Sequence, residues 1–351
     1  MKYHRACAAF STFVLVLVVL ASAFASVAAA ADSIVFLDAQ RGWRTTFEGD
    51  PSTNGGHAFL WRTADGGDTW KRLATKAPGY HPGSGYNGGV LAFRNADLGL
   101  WGRYAWDRLL RTTSGGVSWK SSGRMTKSIV WDFCFGSARV AWACSGVGSA
   151  GDGGEIMKSA DGGATWRVLR RYRTVAGQAP AGAFYQISSP TARHCFVAGG
   201  GDRLGGLWAT SDGGVHWARR RLPGAVGGAY VIEFPTASTG WNVGYDGAIY
   251  KTASSGRSWS RQATAGRPLN DVSFLDELHG WVVGDDGAVL RTVDGGANWE
   301  WLYPGTDASL SEVVFVDDLH GWAAGRAGEW PDYWDVLLRT TDGGDTWTEL
   351  P

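Results

Sequence analysis

Thr292-Val293-Asp294-Gly295-Gly296-Ala297-Asn298-Trp299 decides the fold, because its pattern returns along the whole chain. The pattern is a Ser or Thr, any residue, Asp, Gly, Gly, two variable residues and Trp. Clean copies stand at Thr63–Trp70, Ser159–Trp166, Thr210–Trp217 and Thr340–Trp347. Two copies are degraded: Thr112–Trp119 has Ser114 for the Asp, and Thr252–Trp259 has Ser254 for the Asp and Ser255 for the first Gly. A carboxylate in this place can accept hydrogen bonds from the N–H groups just ahead of it, while the glycines take backbone angles that other residues resist. Each copy therefore reads as a hairpin turn whose Trp opens the next strand. The residues that carry these turns are Asp65, Trp70, Asp161, Trp166, Asp212, Trp217, Asp294, Trp299, Asp342 and Trp347, and their role is structural.

A second element lies between the boxes. Val272–Gly284 contains Phe274, His279, Gly280 and Trp281, and it recurs closely at Val313–Gly325. Weaker copies centre on Gly42-Trp43, Trp101, Trp142, Phe196 and Gly240-Trp241. One repeat then reads as strand, turn, Gly-Trp strand, turn, strand, box turn, Trp strand, with alternating runs such as Ala288–Thr292. Four short antiparallel strands make a propeller blade. Seven repeats predict an all-β, seven-bladed β-propeller as a single domain over residues 32–351. Ile34-Val35-Phe36 begins the first repeat and Thr346-Trp347-Thr348 ends the last, so each blade is expected to be one contiguous segment. The 52 glycines and 20 tryptophans of the chain are those of a molecule of many tight turns, each held by a large flat side chain.

The boxes resemble the Asp-box, or bacterial neuraminidase, repeat. Combined with the Gly-Trp element they are similar to the photosystem II stability and assembly factor family of seven-bladed propellers, and the resemblance covers residues 33–351. It implies a binding or assembly scaffold with no cofactor. Boxes of this type also occur in sialidases, endoglucanases and sorting receptors, where they lie away from the chemistry, so the motif specifies fold better than function.

Basic and acidic residues number 33 each, which gives no whole-molecule attraction to nucleic acid, and nucleic-acid binding is disfavoured. Lys2 and Arg5 precede an apolar run from Phe10 through Val27 and then Ala28-Ala29-Ala30-Ala31, the pattern of a secretion signal over residues 1–31. The alternative is an uncleaved anchor, since Phe10 to Ala31 carries no charge and is long enough to span a bilayer. Either way the body is expected outside the cytoplasm, secreted or periplasmic. Beyond the leader the chain keeps Cys134, Cys144 and Cys195. The repeat alignment turns Cys134 and Cys144 to opposite faces of one sheet, so all three read as small buried hydrophobes, with a disulfide the lesser reading.

Loops of an up-and-down blade alternate between the two faces of the disc. The chain from Gly-Trp to box is short in Trp101–Ser114, Trp241–Ser254 and Trp281–Asp294. It is longer in Trp43–Asp65, Trp142–Asp161, Phe196–Asp212 and Trp322–Asp342, and the links after Trp70 and Trp166 are extended as well. Every extension falls on the face opposite the boxes, which places a binding surface there over blades 7, 1, 2, 3 and 4, with none from blades 5 and 6. The candidate partner-binding residues are Tyr80, Tyr86, Arg171, Tyr172, Arg173, Trp330, Tyr333 and Trp334: aromatic rings for apolar area, arginines for charge selectivity. Arg219-Arg220-Arg221 reads first as a charged outer edge that discourages sheet pairing, and second as part of a basic patch with Arg170, Arg171 and Arg173.

No catalytic or metal site is assigned. The Arg-Ile-Pro element of sialidases is absent, one propeller cannot form the two-propeller cleft of xyloglucan hydrolases, and the carboxylate pairs Glu48/Asp50 and Asp332/Asp335 have no separation that sequence can give. No zinc spacing, phosphate loop or serine elbow is present. The function expected is a monomeric scaffold for a protein partner, such as a membrane or cell-envelope complex. The alternative is a glycan-binding or glycan-cleaving module.

Overall fold

The computed structural model describes residues 33–48, 57–74, 89–102, 108–124, 129–146, 154–171, 184–199, 206–223, 230–328 and 332–351. Among them every regular element is a strand, and the strands form seven four-stranded antiparallel sheets, each from consecutive segments of chain. Blade 1 runs over 34–74, blade 2 over 90–124, blade 3 over 129–171, blade 4 over 184–221, blade 5 over 230–264, blade 6 over 269–302 and blade 7 over 309–349. The first strand of each blade touches the first strand of the next, and that of blade 7 touches that of blade 1, so a ring of first strands surrounds the axis. Among the described residues no strand from one chain end enters the sheet of the other, as the repeat register requires.

The box turn is built as its residues dictate. In blade 6 the Asp294 carboxylate accepts from the Thr292 hydroxyl and the Asn298 amide, both at 2.9 Å, and the Gly296 amide donates to Thr292 Oγ1 at 2.8 Å. The penultimate box position is not free to vary: Asn298 Nδ2 donates to Asp294 Oδ2, as the Thr69 hydroxyl does to Asp65 and the Thr346 hydroxyl to Asp342. In the degraded boxes Ser114 and Ser254 each accept the same amide bond with a single oxygen. Ser255, in the place of a glycine, holds a positive φ of 59°.

The Gly-Trp element makes the joints. Trp281 lies flat on Phe315 of the next blade with ring centres 3.6 Å apart, and Trp43 on Phe93, Trp241 on Phe274 and Trp322 on Phe36 repeat the stack. Phe196 replaces Trp in blade 4 and stacks on Phe234. The preceding glycine leaves room for the Phe of its own blade: a Cβ on Gly321 would stand 2.4 Å from the Phe315 ring. The indole N–H of Trp43, Trp281 and Trp322 donates to the first box glycine of the next blade. A cation stands just before every box but one and reaches toward the same turn of the next blade, as Lys158 does at Gly213 O (2.8 Å) and Lys251 at Gly295 O (2.6 Å). Blade 4 has Ala209 there, and Arg220 of its fourth strand donates to Ser255 O instead.

One expectation about the cysteines is overturned. Cys134 pairs across the ladder with Trp142, and Cys144 with Asp132, so the two sulfurs share one face of blade 3. They meet Cys195 in the cluster between blades 3 and 4. The bulge after Cys144 lies beyond both residues, so the simple alternation that the repeat alignment misplaced by one residue holds between them. All three thiols are free.

Candidate functional site

Seven equivalent hydrogen bonds fix which loops share a face. In each blade the amide at the first box glycine position donates to a carbonyl of the turn between the first and second strands, for instance Gly66 to Gln40 and Gly343 to Leu319. The box turns and first hairpins therefore form one face. The turns between second and third strands and the links between blades form the other, where the sequence places every extension.

Among the described residues the exposed large apolar side chains divide by face and by chemistry. On the box face they are aliphatic: Val117, Val215, Leu278, Val293 and Leu319. On the opposite face and its rim they are aromatic: Tyr245, Trp301, Tyr303, Tyr333 and Trp334, with Tyr303 79 % and Trp334 57 % exposed. Aromatic rings with a polar tip combine large contact area with low rotamer entropy, the property that makes binding anchors. Trp334 opens the third strand of blade 7 and lies across Gly328, whose φ of 87° and missing Cβ admit the ring.

The candidate residues are placed as follows. Tyr333 and Trp334 are exposed on the expected face, as is Arg171 at the end of blade 3. Arg171 is engaged there, its Nε 2.6 Å from the Glu155 carboxylate. Tyr80, Tyr86, Tyr172, Arg173 and Trp330 lie outside the described residues. Arg170 spreads over the Trp208 ring at 3.8 Å, and Arg220 is spent on the joint to blade 5, so both serve blade packing. Blades 5 and 6, assigned no binding residue from loop length, contribute Tyr245, Trp301 and Tyr303. Loop length missed Tyr245 and Tyr303 because their turn and link are minimal, and Trp301 because it lies on the outer strand of blade 6. A tyrosine in the four-residue turn Gly244-Tyr245-Asp246-Gly247 was the available signal, since such a turn has no interior to bury it.

A second polar cluster surrounds the axis. Asp132, Gln186, Asp271 and Glu312, on the first strands, each accept a backbone N–H from the first strand of the next blade: Ile187, Ile232, Val313 and Ile34. Glu233 does the same for Phe274. The inner edge of each blade is an open sheet edge, and these side chains cap its amides. Burial raises Asp132 to about 7, Glu233 to about 8 and Asp271 to about 7, with the neighbouring Asp271 charge adding to the rise at Asp132 and Glu233. Asp65 on the box face is held at about 2 by the Thr69 hydroxyl and amide. Among the described residues no group of three or more His, Cys, Asp or Glu is placed to hold a metal ion.

The family model described as photosynthesis system II assembly factor YCF48 matches residues 262–351, which hold the end of blade 5 and all of blades 6 and 7. Over that stretch the chain is similar to those assembly factors. No curated protein matches it. Among solved structures it is similar to YCF48 from Cyanidioschyzon merolae, at 18 % identity over 74 % of this chain and 84 % of that one, with a TM-score of 0.54. It is also similar to virginiamycin B lyase from Staphylococcus aureus, at 14 % identity over 83 % and 90 % of the two chains, TM-score 0.61. A puromycin-hydrolysing peptidase from Mycobacterium tuberculosis matches at 13 % identity over 92 % of this chain and 53 % of its own, TM-score 0.61. At these identities the shared property is the propeller fold, which an assembly factor, a lyase and a peptidase use alike.

Proposed function

We propose that the protein is an exported, non-enzymatic scaffold that holds a protein partner on the face opposite the boxes, in the manner of the assembly factors that its last two blades resemble. The observation that carries this reading is the division of exposed large apolar side chains among the described residues, aromatic on that face and aliphatic on the other. Tyr333 and Trp334 are its anchors in blade 7, with Trp330 beside them in sequence, and Tyr80, Tyr86, Arg171, Tyr172 and Arg173 extend it over blades 1 to 4. The test is capture of a partner from native extract by the wild-type protein and two variants. Replacing Tyr333 and Trp334 with Ala should weaken capture by about 2 kcal/mol or more, because such anchors carry most of an interface's energy. Replacing Val215 and Val293 with Ser on the box face should leave it unchanged, and the reverse pattern would invert the face. Exposed tryptophan also favours the alternative of a glycan ligand, which binding on a glycan array would establish. The export reading rests on the leader; N-terminal sequencing of secreted or periplasmic material should begin near Asp32.

A further inference from the structure

On the proposed binding face the exposed aromatics of blades 5 to 7 do not stand alone. Carboxylates alternate with them: Asp246 beside Tyr245, Asp285 and Asp286 in the second hairpin of blade 6, Asp307 in the link after Tyr303, and Asp332 and Asp335 flanking Tyr333 and Trp334. The six acids meet three guanidiniums among the described residues. Arg267 lies 3.7 Å from Asp286, Arg326 lies 3.0 Å from Asp335, and Arg261 stands one strand out on the rim.

The arc is continuous. Ala265 bonds to Gly247 of the blade 5 hairpin, Arg267 donates to Asp286 O at 3.0 Å, and Gly287 donates to Ala308 O at 2.9 Å. Ser309 then pairs with Arg326, which holds Asp335 next to Trp334. Within it the recognition mode already occurs once: the Arg267 guanidinium sits over the Trp301 ring, 5.7 Å from its centre. A ring face attracts a cation, and a carboxylate beside it pairs with the same charge.

We infer that this aromatic and acidic arc over blades 5 to 7 docks a basic, Lys- or Arg-bearing extended segment of the partner, its cations seated over Tyr303 and Trp334 and paired with the surrounding carboxylates, as Arg267 of this chain is over Trp301. The inference rests on the scaffold reading above and gives it a sign of charge. That sign is opposite to the one Arg171 and Arg173 suggest for blades 3 and 4. A neutral glycan would stack on the same rings but leave the excess of carboxylates uncompensated.

The probes are three synthetic peptides of alternating residues, Lys-Ser, Arg-Ser and Glu-Ser, titrated against the full chain by calorimetry. The Lys and Arg peptides should bind with an affinity that falls as salt rises, and the Glu peptide should not. Tyr303→Leu with Trp334→Leu should weaken binding tenfold or more, and Asp286→Asn with Asp307→Asn by a similar factor. All four sites are on the surface, so circular dichroism and thermal unfolding should match wild type. Binding untouched by the Leu variant would mean attraction by charge alone, without the rings, and would overturn the inference. So would binding of the Glu peptide, failure of both basic peptides, or binding of a neutral cello-oligosaccharide that the Asn variant leaves intact. Partner capture that is lost with Tyr333 and Trp334 while both basic peptides fail to bind would sink the charge assignment and leave the scaffold standing.

Discussion

Trp322→Phe and Trp281→Phe are the same perturbation at two joints, one closed by side chains alone and the other also crossed by the chain. Trp281 donates to Gly343 O and Trp322 to Gly66 O, each at 2.8 Å, and each ring stacks at 3.6 Å on the Phe of the next blade. Removing the indole N–H from a buried carbonyl costs about 1–3 kcal/mol. Arg339 Nη1 at 3.4 Å from Gly66 O, and Arg291 Nη1 at 3.2 Å from Gly343 O, keep both losses near the lower end. The smaller ring in a fully packed site adds roughly 1–2 kcal/mol. A total of about 3 kcal/mol corresponds to a hundredfold change in a local opening equilibrium. The reporters are the amides that cross each joint at the axis, Ile34 to Glu312 at 2.7 Å and Val313 to Asp271 at 2.8 Å. Blades 6 and 7 remain tethered by residues 303–308 when their contacts break, whereas blades 7 and 1 gain the full freedom of separated segments. Native-state hydrogen exchange should show the Ile34 amide of Trp322→Phe exchanging about a hundredfold faster than in wild type, and faster than the Val313 amide of Trp281→Phe. Equal rates, or a faster Val313, would refute the reasoning that the joint between blades 7 and 1 is the weakest part of the ring.

The axial carboxyls set a pH dependence with a definite sign. Their folded pKa values of about 7 to 8 lie above the unfolded ones near 4, so the stability they contribute is present below about pH 4 and is lost as pH rises through 7 to 8. For Asp132 the loss is on the order of 4 kcal/mol. Thermal unfolding should be higher at about pH 5.5 than at about pH 9, and Asp132→Asn should shrink the difference to the part that Glu233 and Asp271 set; a flat wild-type profile would contradict the buried placement. Asp65 acts in the opposite direction, its contribution present above about pH 4 and lost as pH falls through about 2. Gly321→Ala drives a Cβ into the Phe315 ring and should cost about 1–3 kcal/mol by chemical denaturation, although Gly321 has an ordinary backbone conformation. Asp294→Ala removes both acceptor oxygens of its turn, whereas Ser114→Ala removes one, so the first should lower the melting temperature more; equal shifts would mean that the carboxylate adds nothing to the hydroxyl.

Fold class, blade number and the boundaries of the repeats were legible in the sequence because each rests on local chemistry. A box needs its Ser or Thr, its carboxylate and its glycines within eight residues, and a turn that closes over so short a span declares itself wherever it occurs. The structural role of the box Asp residues and the contiguity of each blade follow from the same locality. The joints were not legible. Gly321 is glycine because of Phe315, Phe315 is there for Trp281 of the preceding blade, and Arg220 reaches Ser255 because Ala209 cannot. The axial acceptors left a faint trace, since Asp132, Asp271 and Glu312 each stand three residues before a strand-ending Phe. Their purpose shows only when the open edge of the next blade is beside them. For the proposed binding face, loop length singled out the side on which Tyr333 and Trp334 lie exposed and passed over Tyr245, Trp301 and Tyr303. Sequence alone thus determined the disc and its two faces, through contacts made within one hairpin. Which side chains remain at the surface, and which acids and rings gather there, was decided by the closing of the ring, because those neighbours come from different blades and meet only in three dimensions.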